Sequence, residues 1–547
     1  MKKSSKLFTA VLLGLSLVGC SSVNKMAQQA SKVTVECEPS VLEVVGGVVD
    51  AFVTVTYPAG YFNPKAMLEV TPVIVFDEGE KAGTPIVYQG EKVKDNYRVV
   101  SSKGGIVSER IRIPYVEGME KSYLELRGVA SIGVKSVNLP SKKVADGANT
   151  TYMLVKKDGA ISLKEDGYQE VIKETEEGQI LYTVNSANVR SSELKSQSIK
   201  DFQAALDEIN ANDRKTLTGT EVVAYASPEG GAQRNAKLSD DRSRSAGQAW
   251  NAVTKGHDAA APEVRSIGQD WEGFRDLVSK SNIEDKDLIL RVLSMYSDPA
   301  VRESEIRNMS EVFKELKNGV LPELRRARFI ANVEYKNFTS EELVALIDEN
   351  IDFLDESALL RAATLVKDTN KKLNIYRQAI EKFDSDRAQF NTGVTYLAAG
   401  DVERAEKAFN KVKTQDGDLQ NAKGVVALRN GDIAEAARLF NAAGTEDARI
   451  NLGIVNILTG NYEKAATELT DVPGCPRNTV LAYILTDQLD KAEAKASCKD
   501  PKVYYLKAII AARKGDAEGV RENLEIAGKD PELKARAEKD IEFAAFK

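Results

Sequence analysis

Residues 221–250 read EVVAYASPEGGAQRNAKLSDDRSRSAGQAW, and the rest of the chain is organised around them. The apolar run at 222–226 has the length of a buried strand. Pro228, Gly230 and Gly231 follow as a turn-rich loop. Ser239 stands where it could cap the next helix, with Asp240 and Asp241 in the first turn, where the helix dipole favours negative charge. Arg242 breaks that pattern, because a cation is disfavoured there. Free N–H groups at a helix start and a guanidinium fork pointing the same way make a carboxylate site. The plainer reading of Arg242 is a surface ion pair with Asp240, Asp241 or Glu229, which would be worth little.

Asn235, Leu238, Ser239 and Arg242 stand at the spacing found in the second helix of the OmpA-like peptidoglycan-associating domain, which this stretch resembles. Upstream, ILYTVNSANVRSSELKSQSIKDFQAALDEI at 180–209 resembles that family's first strand and first helix. The resemblance implies strand, helix, strand, helix, strand and a last strand completing the sheet. Residues 264–268 fit the third strand and 327–335 the last, with Arg325 and Arg326 just before it, where the family carries paired basic residues. It also implies that Arg242 grips the carboxylate of diaminopimelate in a stem peptide, while a loop Asp eight residues before the Asn grips the amine end. That position is Ser227. Two readings stay open: Glu229 supplies the missing carboxylate, or the site is dead. Asn235 is read as tying the loop to the helix. Residues 271–324 form an insertion with helical periodicity, read first as cover for one face of the sheet, and otherwise as a cap on the ligand face or a docking surface.

The chain of 547 residues is too long for one core, so three or four domains are expected. A net charge of −7 with no basic stripe argues against a general nucleic-acid partner. His257 is the only histidine, and there is no Walker-type phosphate loop, GxGxxG or CxxC. Histidine-based catalysis and histidine-rich metal sites are therefore disfavoured, and the chain reads as a non-enzyme with no cofactor or metal. The start, MKKSSKLFTAVLLGLSLVGCSS, reads as a secretory signal: Lys2, Lys3 and Lys6 precede an apolar run at 7–18 that is too short to span a bilayer. Leu17, Val18, Gly19 and Cys20 resemble a bacterial lipobox. That resemblance implies cleavage before Cys20, acylation of Cys20, and, with Ser21 in place of Asp, an outer-membrane destination; the following SSVNKMAQQASK has no acidic cluster resembling a surface-export tag, so the periplasmic face is expected. The competing reading is a plain signal peptide that contains a cysteine.

After the signal peptide (1–19), the lipidated Cys20 and its tether (20–32), residues 33–155 hold short runs rich in Val, Ile, Thr and Tyr between turn residues, the pattern of a β-sandwich. Tyr57, Tyr61 and Phe62 either form an exposed partner patch or, more simply, close the end of the sandwich. Residues 151–190 read as hairpins with turns at KKDG and TEEG, leading into the OmpA-like domain at 156–340. From 341 to 547 the chain is helical and repetitive. A turn residue is followed by an apolar residue five on and another four later: Gly400, Ala405, Phe409; Gly431, Ala436, Phe440; Gly460, Ala465, Leu469; Asp487, Ala492, Ala496; Gly515, Val520, Leu524. Gly393, Gly424, Gly453 and Ala508 stand seven before the turn and would let paired helices approach closely. The pattern resembles the tetratricopeptide repeat, which implies a solenoid with a concave groove for a protein partner. Cys475 opens one hairpin and Cys498 closes it, so a disulfide between them is reasonable in an oxidising compartment. Cys37 reads as a buried thiol.

The expected fold is therefore an N-terminal β-sandwich, a central α/β OmpA-like domain with a helical insertion, and a C-terminal α-solenoid. Two functions are expected. The first is an outer-membrane lipoprotein that associates with peptidoglycan and scaffolds protein partners on its repeats. The second is an accessory scaffold of an outer-membrane assembly, secretion or fimbrial machine, with the OmpA-like fold repurposed.

Overall fold

The computed structural model of the chain describes residues 22–547. The signal-peptide and Cys20 readings lie outside the described residues. The chain divides into two units: residues up to Lys164 together with Ile380–Lys547, and Glu165–Ala379.

The first unit begins as a β-rich region whose strands form one 11-stranded sheet. Strand Val48–Tyr57 pairs antiparallel with Thr34–Glu38 and with Gly105–Pro114. Strand Ser122–Ile132 pairs antiparallel with Met67–Phe76 and with Lys142–Asn149. Alternation gives it a buried face: Val49, Ala51, Val53, Val55 and Tyr57 are all buried along one strand. Tyr57, Tyr61 and Phe62 are buried, with the Tyr57 ring 5.7 Å from each of the other two. They close the end of the region, so the exposed-patch reading is set aside.

The helices from Asp386 onward form pairs: Asp386–Ala398 with Val402–Phe409, Gly417–Arg429 with Ile433–Ala443, Glu446–Leu458 with Tyr462–Glu468, Arg477–Leu485 with Leu489–Lys495, and Pro501–Lys514 with Ala517–Ala527. The pairs form because small residues face large ones. A Cβ on Gly424 would stand 2.5 Å from the Phe440 ring, and one on Gly453 would stand 2.5 Å from Leu469. The turn positions Gly400, Gly431, Gly460, Asp487 and Gly515 all have positive φ, and each of the four glycines can hold that conformation at little cost. Cys475 and Cys498 are joined in a disulfide, with Cα atoms 5.7 Å apart.

The β-rich region and the repeats are not separate domains. One continuous core holds Leu42, Ile74 and Tyr152 together with Phe409, Leu481 and Tyr505. Polar contacts close the same seam: Asn149 Nδ2 and Thr151 Oγ1 donate to Glu542 at 2.8 and 3.0 Å, and Arg536 Nη2 donates to the Thr150 carbonyl at 2.8 Å. The in-line division at 155 and 340 is thus replaced by a chain whose two ends fold together. The physical cause is apolar surface: both parts carry faces that neither could bury alone.

The second unit holds a four-stranded sheet in the order Val171–Leu181, Arg326–Lys336, Lys215–Ala226, Glu263–Gln269. Only the last two of these strands pair in parallel. Helices Gln197–Ala211 and Ala232–Val253 cover one face through Phe202 and Trp250, whose rings pack with Phe329. The expected strand and helix order is present. The expected hairpins at 151–190 are not: TEEG lies inside Val171–Leu181, which is paired along its full length with Arg326–Lys336. The seven-residue alternation of exposed and intermediate positions from Val171 to Glu177 is that of an edge strand with one solvated face, not a turn. The insertion folds as helices Trp271–Lys280, Lys286–Met295, Pro299–Asn308 and Ser310–Asn318. Their core of Phe274, Val278, Ile289, Leu293 and Ile306 contains no sheet residue, so the insertion is a small body of its own and not a cover for the sheet. Helices Ser340–Glu349 and Glu356–Leu365 belong to this unit, and its boundary falls within Thr369–Phe383.

Candidate functional site

The motif residues of the central unit come together, but not as a ligand clamp. Helix Ala232–Val253 starts seven residues before Ser239, with Gly231 in the N-cap position. Ser239 is therefore a buried mid-helix residue. Its Oγ donates to the Ala236 carbonyl and accepts from the Gly268 amide at 3.0 Å, which fastens the helix to the neighbouring strand. The helix begins early because Ala232 to Ala236 contains good helix formers and the breakers end at Gly231. Arg242 is consequently not at a helix N-terminus, and no free N–H groups join it.

The Arg242 side chain is 1% exposed. Nε donates to the Ser186 carbonyl at 3.0 Å, Nη1 to the Tyr225 carbonyl at 2.9 Å and Nη2 to the Thr183 carbonyl at 3.3 Å. The guanidinium also lies over the Tyr182 ring, 4.9 Å from its centre. Burial away from any direct carboxylate partner draws its pKa down to about 10. Neither the open clamp nor the surface ion pair describes this side chain. Asp240 instead accepts from Ser266, and Asp241 pairs with Arg244.

Glu229 is committed as well. Arg325 Nε donates to its Oε1 at 2.8 Å and Ser227 Oγ to the same oxygen at 2.9 Å. Burial works against its charge, but those bonds outweigh it and hold the carboxyl below its ordinary value. Arg307 of the insertion donates to the Glu229 carbonyl. Asn235 Nδ2 reaches the Ser227 and Gly230 carbonyls at 3.0 and 2.5 Å, tying the loop to the helix.

A second set of residues holds a segment of the chain itself against the repeats. Residues 155–164 leave the β-rich region as an extended strap along the first helices of the repeats. Three asparagines clamp it, each through both its amide groups. Asn478 accepts from the Lys156 amide at 2.7 Å and donates to the Lys156 carbonyl at 2.8 Å. Asn451 does the same to Ala160 at 2.6 and 2.8 Å, and Asn391 to Lys164 at 2.7 and 3.2 Å. Asn421 donates to the Ala160 carbonyl at 3.0 Å and accepts from Asn451 at 2.8 Å. The strap therefore runs antiparallel to the order of the repeats. Two side-chain features fix its register. Gly159, at φ 79°, lies against Val425, where a Cβ would stand 2.8 Å from both γ-methyls. The Lys164 ammonium sits over the Phe390 ring and between Asp416, at 2.6 Å, and Asp418. Burial opposes its charge, yet the two carboxylates hold the ammonium pKa above its ordinary value.

The sequence reading found the repeats but not these asparagines. Their signal was present: an asparagine recurs on the first helix of four of the pairs, nine or ten positions before the turn, as Asn391, Asn421, Asn451 and Asn478.

Residues 373–419 match the family model of the tetratricopeptide repeat, and the C-terminal helical region is built of such repeats. No curated protein matches the chain. Among solved structures, the chain is similar to a tetratricopeptide repeat protein from Parabacteroides merdae, at 14% identity over 37% of this chain and 91% of that one, with a TM-score of 0.29. It is also similar to YrrB, described as a TPR protein with an unusual peptide-binding site, at 18% identity over 37% of this chain and 100% of that one, with a TM-score of 0.21. Yeast Tom70 gives 13% identity over 62% and 78%, with a TM-score of 0.26.

Proposed function

We propose that the protein is a lipid-anchored scaffold of the outer-membrane envelope, in which an OmpA-like unit keeps its fold but has lost its ligand clamp. The lipobox-like residues 17–20 support the anchor, and the Asn235–Arg242 spacing with the sheet order supports the OmpA-like unit. The tetratricopeptide repeats support a role in holding protein partners. One observation carries the choice against cell-wall binding. The Arg242 side chain is buried on three backbone carbonyls while Glu229 is spent on Arg325, so neither is free for a diaminopimelate.

The test is sedimentation of the lipid-free full chain with purified cell wall, with and without excess free stem peptide. The reading predicts no sedimentation that the stem peptide can compete away. Competed sedimentation would restore the peptidoglycan-associating role. Metabolic labelling with a palmitate analogue tests the anchor: label on the wild type and none on Cys20→Ala is expected, and label on both would refute it.

A further inference from the structure

The asparagine clamps read backbone, not side chains. Each pairs with the amide and carbonyl of one residue, and those residues stand four apart at Lys156, Ala160 and Lys164. The side chains of Lys157, Asp158, Ser162 and Leu163 between them are exposed, and the Asp158 carbonyl takes one more main-chain hydrogen bond, from Arg429 Nε at 2.8 Å. Recognition by main-chain hydrogen bonds with a few side-chain pockets is the chemistry of peptide binding. Apolar burial adds to it at two points of the strap, where Val155 is buried in the core and Ile161 packs against it. Local opening of this connecting segment, short of global unfolding, is the step that would vacate the site.

We propose that the face formed by the first helices of the repeats is a peptide site occupied in cis by residues 155–164, and that a partner's extended segment binds there in exchange for the strap. The occupant is defined by the contacts. It needs a glycine where Gly159 passes Val425, and a lysine or arginine five residues on to reach Asp416 and Asp418. An acidic residue at the last position is rejected by those carboxylates. The strap is thus both the resident ligand and the gate, because a partner gains only the difference between its own binding and that of the strap. This inference needs neither the anchor nor the OmpA-like reading.

The test uses a fluorescent peptide of residues 153–166 and the full chain. Gly159→Val drives a branched side chain into Val425 and should expel the strap. The Gly159→Val chain is expected to bind the peptide saturably, and the wild type about tenfold or more weakly because its site is filled. Adding Asn451→Ala to Gly159→Val should lose about tenfold of that binding, as expected for two missing backbone hydrogen bonds. A peptide with Lys164→Glu should not bind. A folded Gly159→Val chain that ignores the peptide, or binds it regardless of Asn451, overturns the proposal. Hydrogen exchange on the wild type gives a second readout that needs no variant to fold. The amides of Lys156, Ala160 and Lys164 should exchange while helix Pro501–Lys514 stays protected. Exchange of all of them only together with that helix would make the strap a fixed part of the core and refute the site.

Discussion

Three carbonyls hold the Arg242 guanidinium, so its replacement is a question of stability. A lysine has one nitrogen and cannot reach three divergent acceptors. Arg242→Lys should therefore cost about 2 kcal/mol or more. Urea unfolding followed by tryptophan fluorescence reads this unit selectively, because Trp250 and Trp271 both lie in it. Unchanged stability would contradict a structural role. The residue type was legible in the sequence, but its partners were not: Ser186, Thr183 and Tyr225 offer only backbone, and backbone acceptors leave no trace in residue identity. The same reasoning covers Asn451. Its spacing was visible, but nothing in the repeats named Ala160 as its partner. Asn451→Ala would leave the Ala160 amide and the Asn421 side-chain oxygen short of a partner, while the Ala160 carbonyl keeps Asn421, at a cost of about 1–3 kcal/mol. Thermal unfolding of the full chain checks that figure, and a loss too small to measure would mean that water replaces the clamp.

Among the elements, the helix pairs were the most legible, because their packing repeats: a small residue on one helix meets a large one on the next. Gly424→Ala presses a methyl group into the Phe440 ring, which is buried and cannot retreat. The expected cost is about 1–3 kcal/mol, and the double variant with Phe440→Leu should recover part of it. Equal loss in both would show that the two do not touch. The strap was the least legible element. It has no hydrophobic period and no ladder, and its register comes from Gly159 and Lys164 meeting residues more than two hundred positions away. The insertion falls between these cases. Its helical character was legible from periodicity, but the break between Pro299–Asn308 and Ser310–Asn318 was not, nor was the direction of the apolar faces, because amphipathic helices can cover a sheet or cover each other equally well.

At the scale of the whole molecule, the last residues return to the β-rich region. Glu542 accepts from Asn149, Thr151 and Arg513. Burial opposes its charge, but Arg513 and the two neutral donors outweigh it and hold the carboxyl below its ordinary value of 4.5. A carboxylate with a depressed pKa adds stability above its unfolded value and loses it as pH falls through the folded one. Asp540, which burial holds above its ordinary value, contributes in the opposite sense. The thermal midpoint of this unit should therefore fall as pH drops below 4.5, and Glu542→Gln should flatten that fall. A midpoint with the same acid dependence in both chains would place the acid-sensitive group elsewhere. That the two ends of the chain share a core could not be read from sequence, since each end reads locally as a complete domain. The most direct measurement is hydrogen exchange by mass spectrometry along a urea series on the full chain. One folded body predicts that strand Val48–Tyr57 and helix Pro501–Lys514 lose protection at the same urea concentration. If the strand stays protected after the helix has opened, the β-rich region is a domain in its own right, and the account of a scaffold built from both ends of the chain is wrong.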